Sequence, residues 1–588
     1  MSTLSRKLPM PKIQFGPVSS RPTFKAVTLS LLGGFLSACA TPATQYVSDV
    51  SPEGRLFGNY LAGTYANYLD DAEARSHYYG EAFAQLPDDV RLGRRAITSA
   101  VTAGDMDKAV SLAKTLQKSG ETESMADAVL GAQALRNSQY SKAAEFFDKP
   151  TADLTVSILS KLLKGWAQYG GGDVDSARET FSKLPGGSYF TRFGLFQTAE
   201  LELLVGNFEA AQTAIDEIDR QGADTLDLEK TLFQARLLSA QGQGAEALKM
   251  LEKYSDDNGS FETGPIVMAI AALKSGQALP QITSAQEQAA RALTQPAYGF
   301  FAQNRALDAA EVFLRIALNQ DPAYYKGKLW LGDVLSAYER DSEAMAQYDA
   351  IPAASPYYVS AQLSKGYMLV RRDKNEQALK VFTQVNKAFP SFVTRDALGR
   401  AHLSEENYAA ALPIYEALVD SLSEEELKVD PQALYLRGIC YEREGQWEKA
   451  VVDFKRVLKY KPDNADALNY LGYTWVDRGE NLTEAFRMIR RAVELEPDSG
   501  AIVDSLGWAH YKLGQYEQAK EKLEAAVALS PYSATIVDHL GDVYWKLGRK
   551  KEAVYQWERA LGFDPTDKEI KTINKKLKGG LTAVQTAP

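Results

Sequence analysis

Hydrophobic and small residues recur along this chain with a period of about 34 residues, most clearly in its last third. Glycine, alanine, a large apolar residue and proline return once per period in the same order. The four columns are Gly438, Gly472, Gly507 and Gly541; Ala450, Ala485, Ala519 and Ala553; Phe454, Ile489, Leu523 and Trp557; and Pro462, Pro497, Pro531 and Pro565. Short polar turns separate the glycine from the alanine marks, so each period predicts a pair of helices.

The residue type in each column explains its place in the pair. Glycine in the first helix (helix A) and alanine in the second (helix B) allow two antiparallel helices to approach closely. The large residue four positions after the alanine fills the space between repeats, and proline ends the unit because it cannot continue a helix. The pattern resembles the tetratricopeptide repeat (TPR) family. The resemblance implies an all-α fold, a right-handed TPR superhelix in which helix-turn-helix repeats form an α-solenoid.

The period extends upstream with decreasing regularity. Three more repeats carry the same marks at Gly332, Gly366 and Gly399. From about residue 258 to 303 the phase is lost, and three prolines interrupt the segment: Pro265, Pro280 and Pro296. We therefore expect irregular helical hairpins there, joining a divergent N-terminal array (55–304) to a C-terminal array (305–579). Residues 580–588 are predicted to be a disordered tail.

The N-terminus carries a targeting pattern. Residues 26–38 are uncharged and mostly apolar, follow a basic segment, and are too short to span a bilayer comfortably. They end in Leu36-Ser37-Ala38-Cys39, which resembles the bacterial lipobox. The resemblance implies a signal peptide over 1–38, lipidation of Cys39 and a flexible tether over 39–54. In that family's sorting pattern, Ala40 in place of aspartate favours the outer over the inner membrane.

The net charge and the positions of the cysteine and histidine residues disfavour several functions. Residues 1–38 hold five basic and no acidic side chains, so their removal takes the formal charge from −10 to −15. Such acidity disfavours nucleic acid as a partner. Two distant cysteines and four scattered histidines predict no metal site and no cofactor. Because nucleotide-binding and nucleophile motifs are also missing, we expect a protein that is not an enzyme.

Three consecutive A helices, at 468–473, 503–508 and 537–542, share one apolar frame with different polar and aromatic inserts. The inserts lie four residues apart and so share a helix face. In TPR proteins that face lines the concave groove. The candidate peptide-binding residues are Asn469, Tyr470, Tyr473, Asp504, Trp508, Tyr511, Asp538, His539, Asp542 and Trp545. The alternative interpretation is that they form hydrogen bonds and aromatic packing between repeats.

Lipobox, tether and repeats together resemble the TPR lipoproteins of diderm bacteria. Within that group the length and the strong terminal block resemble the LbcA type of adaptor. That resemblance implies a non-enzymatic scaffold that faces the periplasm and recruits a carboxyl-terminal processing protease, which is a serine protease, with its murein hydrolase substrates. An outer-membrane assembly or pilotin-like lipoprotein, which binds a secretin or barrel precursor, is the alternative. An enzyme or sugar-binding protein built on TPRs is a third hypothesis, and the missing catalytic constellation disfavours it.

Overall fold

The computed structural model describes residues 51–185, 187–220, 227–258, 264–302 and 306–582. The predicted signal peptide, Cys39, most of the tether and residues 583–588 of the predicted tail lie outside these ranges. Packing divides the described chain into two compact units, residues 51–407 and 408–582. The division predicted between residues 304 and 305 falls inside the first unit.

All regular structure in the described ranges is helical. In the first unit the helices are α1 (Pro52–Tyr68), α2 (Ala72–Gln85), α3 (Val90–Thr102), α4 (Met106–Lys118), α5 (Ser124–Arg136), α6 (Tyr140–Phe147), α7 (Leu154–Gly170), α8 (Val174–Ser182), α9 (Ser188–Leu204), α10 (Phe208–Arg220), α11 (Asp227–Ala240), α12 (Gly244–Asn258), α13 (Gly264–Lys274), α14 (Ala285–Ala302), α15 (Leu307–Gln320), α16 (Tyr325–Ala337), α17 (Asp341–Asp349), α18 (Tyr358–Arg371), α19 (Asn375–Ala388) and α20 (Phe392–Ser404). In the second unit they are α21 (Tyr408–Asp420), α22 (Glu424–Val429), α23 (Gln432–Arg443), α24 (Trp447–Tyr460), α25 (Ala465–Arg478), α26 (Leu482–Leu495), α27 (Gly500–Lys512), α28 (Tyr516–Leu529), α29 (Ala534–Lys546), α30 (Lys550–Ala560) and α31 (Asp567–Gly579).

The glycine column marks the closest approach of paired helices. A Cβ atom on Gly507 would lie 2.6 Å from Cγ of Leu523, and one on Gly332 would lie 2.5 Å from the ring of Tyr348. Ala519, in the alanine column, is fully buried. The predicted all-α solenoid of helix pairs is confirmed, and the glycine and alanine columns lie where the paired helices meet. The large residue, which was expected between repeats, instead packs on the glycine of its own pair.

Local signals set the helix boundaries. In the first unit aspartates cap several helices: Asp89 accepts a hydrogen bond from the amide of Leu92, and Asp105 accepts one from that of Lys108. In the second unit the repeat that is one residue longer keeps a three-residue turn, because α25 ends six residues after Gly472 whereas α27 and α29 end five residues after Gly507 and Gly541. In that turn Gly479 and Asn481 take left-handed conformations, with φ of +73° and +44°.

The segment around residues 285–320 differs from the expected irregular hairpins. Pro296 does not interrupt α14, because it lies buried inside a continuous helix and removes only one backbone donor. Helices α14 and α15 form a hairpin that packs against the A helices α3, α5, α7 and α9. Gln320 Nε2 donates to the carbonyl of Ala132 at 2.9 Å, and Gln286 Nε2 donates to that of Leu135 at 3.0 Å. The hairpin therefore covers the face on which the first array aligns its A helices.

The end of the second unit is closed by α31. Leu581 is buried, and Gly580 is packed so closely against Trp545 that a Cβ atom would collide with the indole ring. These two residues of the predicted tail are thus part of the packed structure. Among the helices of the described residues, none is both long and apolar enough to cross a bilayer.

Candidate protein-binding site

The structure places all ten candidate residues on three A helices of the second unit, α25, α27 and α29. Neighbouring members of this row are in direct contact, α25 with α27 and α27 with α29. We call the surface that carries the candidate residues the A-helix face. Cys39, the predicted lipidation site, lies outside the described residues.

A stack of aromatic rings occupies the middle of the A-helix face. The Trp508 ring lies nearly parallel to that of Tyr511, with centroids 4.6 Å apart and an angle of 12°. His539, from the next A helix, also stacks on Trp508, at 4.0 Å and 17°. Trp508 remains partly exposed, while its Nε1 is buried without an acceptor among the described residues. The stack thus combines packing between repeats with some accessible aromatic surface.

His539 is also held by a carboxylate. Its Nδ1 lies 2.9 Å from Oδ1 and 3.1 Å from Oδ2 of the buried Asp504. Burial disfavours the imidazolium, but the negative charges of Asp504, Asp538 and Asp542 outweigh it and raise the pKa of His539. The pair therefore joins α27 to α29 by a charge-assisted hydrogen bond when the ring is protonated.

The other two aspartates share a lysine that the sequence analysis did not identify. Lys576, on α31, is buried and places Nζ 2.7 Å from Oδ2 of Asp538 and 2.8 Å from Oδ2 of Asp542. Asp542 Oδ1 also accepts a hydrogen bond from Trp557 Nε1 at 3.0 Å. Burial raises the pKa of Asp542 to about 6, against the opposing effect of the Lys576 charge. The sequence feature that could have identified Lys576 is its position three residues after Ile573, which places it on the apolar face of the last helix.

Two further candidates, Tyr470 and Trp545, pack at the two ends of the row. Tyr470 donates its hydroxyl hydrogen to Glu442 Oε2 at 3.0 Å, and its ring lies 5.1 Å from that of Phe454. Trp545 contacts Trp557, with centroids 5.3 Å apart. These two aromatic residues therefore contribute to the interior of the repeats.

Asn469 and Tyr473 lie on α25, beside the central stack. Asn469 Oδ1 is buried and has no donor among the described residues. Tyr473 is partly exposed, and burial together with the charge of Asp504 raises the pKa of its phenol. The candidates that remain partly exposed are therefore Asn469, Tyr470, Tyr473, Trp508, Tyr511 and Trp545, whereas the three aspartates and His539 are buried.

All three candidate aspartates have a basic partner inside the fold. Asp504 pairs with His539, while Asp538 and Asp542 pair with Lys576. One lysine and one histidine thus offset part of the charge of three buried aspartates, so the A-helix face does not present the exposed carboxylates of an acidic groove. These contacts agree with the alternative interpretation, in which the polar inserts connect repeats, and the binding role of the candidate residues stays a prediction.

Other candidate chemistry lies elsewhere in the molecule. A cleft of about 530 Å³ opens beside the turns that precede α23 and α25, and Tyr435, Tyr460 and Pro462 line part of it. None of the ten candidate residues lines this cleft. Cys440 is fully buried, as expected, and burial raises the pKa of its thiol to about 12. Across the described ranges, no group of three or more His, Cys, Asp or Glu side chains is arranged to hold a metal ion.

Three segments of the chain match the family described as tetratricopeptide repeat. They cover residues 505–568, 431–464 and 231–253. The first begins within α27 and includes α28 to α30, and the second contains the pair α23 and α24. The chain therefore carries tetratricopeptide repeats, and proteins with such repeats are generally non-enzymatic scaffolds that bind other proteins.

Three characterised proteins are similar over part of their length. TPR repeat-containing protein PA4667 of Pseudomonas aeruginosa is 27% identical over 193 residues, which are 33% of this chain and 32% of that protein. Mouse DnaJ homolog subfamily C member 3 is 25% identical over 36% of this chain and 43% of its own length. The peroxisomal targeting signal receptor of Eremothecium gossypii is 23% identical over 37% of each chain. The chain thus spans about a third to two fifths of these relatives.

Two solved structures are similar over most of their own length. The Cut9-Hcn1 hetero-tetramer of the APC/C is 13% identical, with a TM-score of 0.36 over 90% of this chain and 98% of that one. Yeast Tom70 is 15% identical, with a TM-score of 0.34 over 79% and 96%.

Proposed function

We propose that this chain is a membrane-anchored scaffold facing the periplasm, and that it holds partner proteins on the A-helix face of its second unit. The observation that carries the proposal is the continuous row of α25, α27 and α29, with the partly exposed rings of Tyr473, Trp508 and Tyr511 at its centre. Aromatic side chains are common anchors in protein interfaces, since they supply large contact area at low entropic cost.

The anchor is proposed from the sequence of residues 26–39. Cys39 accepts the lipid, and residues 1–38 are removed. Multiple acyl chains attach a protein durably, whereas a single chain binds a membrane only marginally. The replacement Cys39→Ala is expected to leave an unprocessed or soluble form. If radiolabelled lipid does not enter the wild-type chain, or if both chains fractionate alike, the anchor is wrong.

We further propose that the scaffold is an adaptor that brings a carboxyl-terminal processing protease to its cell-wall hydrolase substrates. The resemblance to the LbcA type supports this proposal. Two compact units in one chain also offer separate surfaces for an enzyme and its substrate. Affinity capture from detergent-solubilised envelopes tests it. Recovery of a serine protease with murein hydrolases supports the adaptor, whereas recovery of a secretin or barrel protein supports an assembly role.

A pair of matched variants locates the binding surface. Trp508→Ala removes the central ring of the A-helix face, and Tyr555→Ala removes an exposed ring on a B helix, α30. Truncating a central aromatic anchor commonly costs about 2 kcal/mol of binding free energy, or roughly thirty-fold in affinity. We expect Trp508→Ala to lose the captured partners and Tyr555→Ala to keep them. Full capture by a folded Trp508→Ala chain would move the site to another surface.

A further inference from the structure

The first described helix, α1, carries an apolar face that none of the described residues of its unit covers. Four large side chains, three or four residues apart, lie on one side of α1. The fraction of each that is exposed is 64% for Phe57, 49% for Leu61, 64% for Tyr65 and 82% for Tyr68. This set is named the α1 stripe. Contiguous exposed apolar surface of this kind marks a site of interaction.

The opposite face of α1 is fixed to the fold. Gly63 and Ala66 are buried, and a Cβ atom on Gly63 would lie 2.8 Å from the ring of Tyr79 on α2. Thr64 Oγ1 lies 3.2 Å from the Tyr79 hydroxyl oxygen. The α1 stripe is therefore held outward by the packing of the other face, and α1 cannot rotate to bury it without losing these contacts.

The first and last helices of the described residues differ in the polarity of their exposed faces. Solenoid proteins cover their terminal repeats with a polar outer face. Helix α31 follows this rule, since lysines make up much of its exposed surface. In α1 the only charged residues are Glu53 and Arg55, both in the first turn and outside the α1 stripe. The exposed face of α1 is thus apolar and suited to contact with an apolar surface, whereas the exposed face of α31 is charged and suited to solvent.

We propose that the α1 stripe rests on the lipid surface beside the anchor. The inference depends on the proposed lipidation of Cys39, which lies only 12 residues before Ser51. A flexible segment of that length spans about 20 Å on average and can extend to about 40 Å. The anchor holds α1 close to the bilayer at high effective concentration, so that even weak partitioning of the α1 stripe keeps it seated.

The chemistry of the α1 stripe favours a bilayer interface over a protein. Tyrosine, phenylalanine and leucine are residues that proteins place at the boundary of headgroups and acyl chains. The α1 stripe has no basic side chain, and the mature chain is acidic overall. Contact with the bilayer therefore depends on apolar burial, and we expect it on zwitterionic vesicles and to persist at high salt.

A label on the α1 stripe tests the proposal in the full chain. In one variant, Leu61→Cys, a fluorophore is attached to the new thiol. The matched control carries the same fluorophore at Lys114→Cys, because Lys114 is exposed on α4. Vesicles of phosphatidylcholine contain a lipid-attached quencher in the acyl region. We expect the label at residue 61 to lose about half of its emission, and the control to be unaffected. The chain without an added cysteine gives the background from Cys39 and Cys440.

A second variant keeps the result specific to the α1 stripe. We expect quenching to be abolished in a triple variant that carries its label at Tyr68→Cys. The three replacements are Phe57→Ser, Leu61→Ser and Tyr65→Ser. The replaced side chains are exposed, so the fold is retained. A lipidated, vesicle-bound chain whose label at residue 61 is not quenched overturns the inference and leaves the anchor intact. Quenching in a Cys39→Ala chain would support contact between the α1 stripe and lipid and would show that this contact does not need the anchor. A chain that dimerises through α1 and shows no quenching assigns the α1 stripe to a second copy.

Discussion

Lys576 Nζ lies 2.7 Å from Oδ2 of Asp538, and this contact joins the last helix to the last A helix of the repeats. Both side chains are buried, and Asp542 shares the same ammonium group. Three charged groups are thus withdrawn from water into a single network. Such a network depends on all its members, because removing one charge leaves the others uncompensated.

The first prediction concerns that network. Lys576→Met should lower the free energy of unfolding of the second unit by about 3 to 5 kcal/mol, since two buried carboxylates lose their counter-charge. Lys575→Met, at the neighbouring exposed position, is the control and should change little. Urea denaturation followed by tryptophan fluorescence measures both. Adding Asp538→Asn and Asp542→Asn to Lys576→Met should restore part of the loss. Equal denaturation midpoints for Lys576→Met and wild type would contradict the importance of the network.

The repeat architecture could be predicted because its signals are local. Gly507 and Leu523 belong to the same helix pair, so the spacing of small and large residues in the sequence reports their contact directly. The site was less predictable. The ten candidates lie on three neighbouring A helices, but Lys576 lies 34 and 38 residues from its two carboxylates, in a helix that carries none of the repeat marks. An isolated sequence could not show that this lysine pairs with two of the three acidic positions.

The second prediction concerns pH. The raised pKa of His539 means that its contribution to stability is fully present below the usual value of 6.5 and is lost as pH rises through the folded-state pKa. We therefore expect wild type to exceed His539→Gln in melting temperature most clearly below pH 6.5, with the difference shrinking above it. The charged groups that face the ring are Asp504 on α27, Asp538 and Asp542 on α29, and Glu569 and Lys576 on α31.

The dependence of melting temperature on pH also contains a contribution from Asp542. Burial also raises the pKa of Asp542, to about 6, so the folded protein favours the protonated, neutral carboxyl. The stability that this preference contributes is present at low pH and is lost as pH rises from 3.8 to about 6. Comparing wild type with His539→Gln at each pH isolates the histidine, and the window above pH 6 is the informative one. A proton NMR titration of the ring gives its pKa directly. A value below 6.5 would contradict the assigned interaction with Asp504.

The third prediction concerns the packing columns. Gly507→Leu and Ala519→Leu should each destabilise the second unit by about 1 to 3 kcal/mol, because both positions lie where the helices of one pair meet. Ala525→Leu makes the same replacement at an exposed position of α28 and should stay within about 0.5 kcal/mol of wild type. Denaturation midpoints check all three. Identical behaviour of Ala519→Leu and Ala525→Leu would show that the alanine column is misplaced.

The hairpin of α14 and α15 shows where sequence reasoning reached its limit. Its contacts cross long stretches of chain, and the hydrogen bond between Gln320 and Ala132 joins residues 188 positions apart. The prolines of residues 258–303 indicated a departure from the repeat. They did not reveal the reason, which is that the departing segment turns back against the A helices of the first array. A periodic sequence pattern does not indicate contacts between residues that are so far apart along the chain.

The last prediction follows from that packing. Leu293, on α14, is fully buried, so Leu293→Ala should leave a cavity and destabilise the first unit by about 2 to 5 kcal/mol. Because α14 lies against α7 and α9, the loss should spread beyond the hairpin. Hydrogen-deuterium exchange measures it, and we expect faster exchange in α7 and α9 as well as in α14 and α15. Leu154→Ala, at an exposed position of α7, should leave these rates unchanged. Faster exchange confined to α14 and α15 would mean that the hairpin is an independent layer, and that the array beneath it folds without its support.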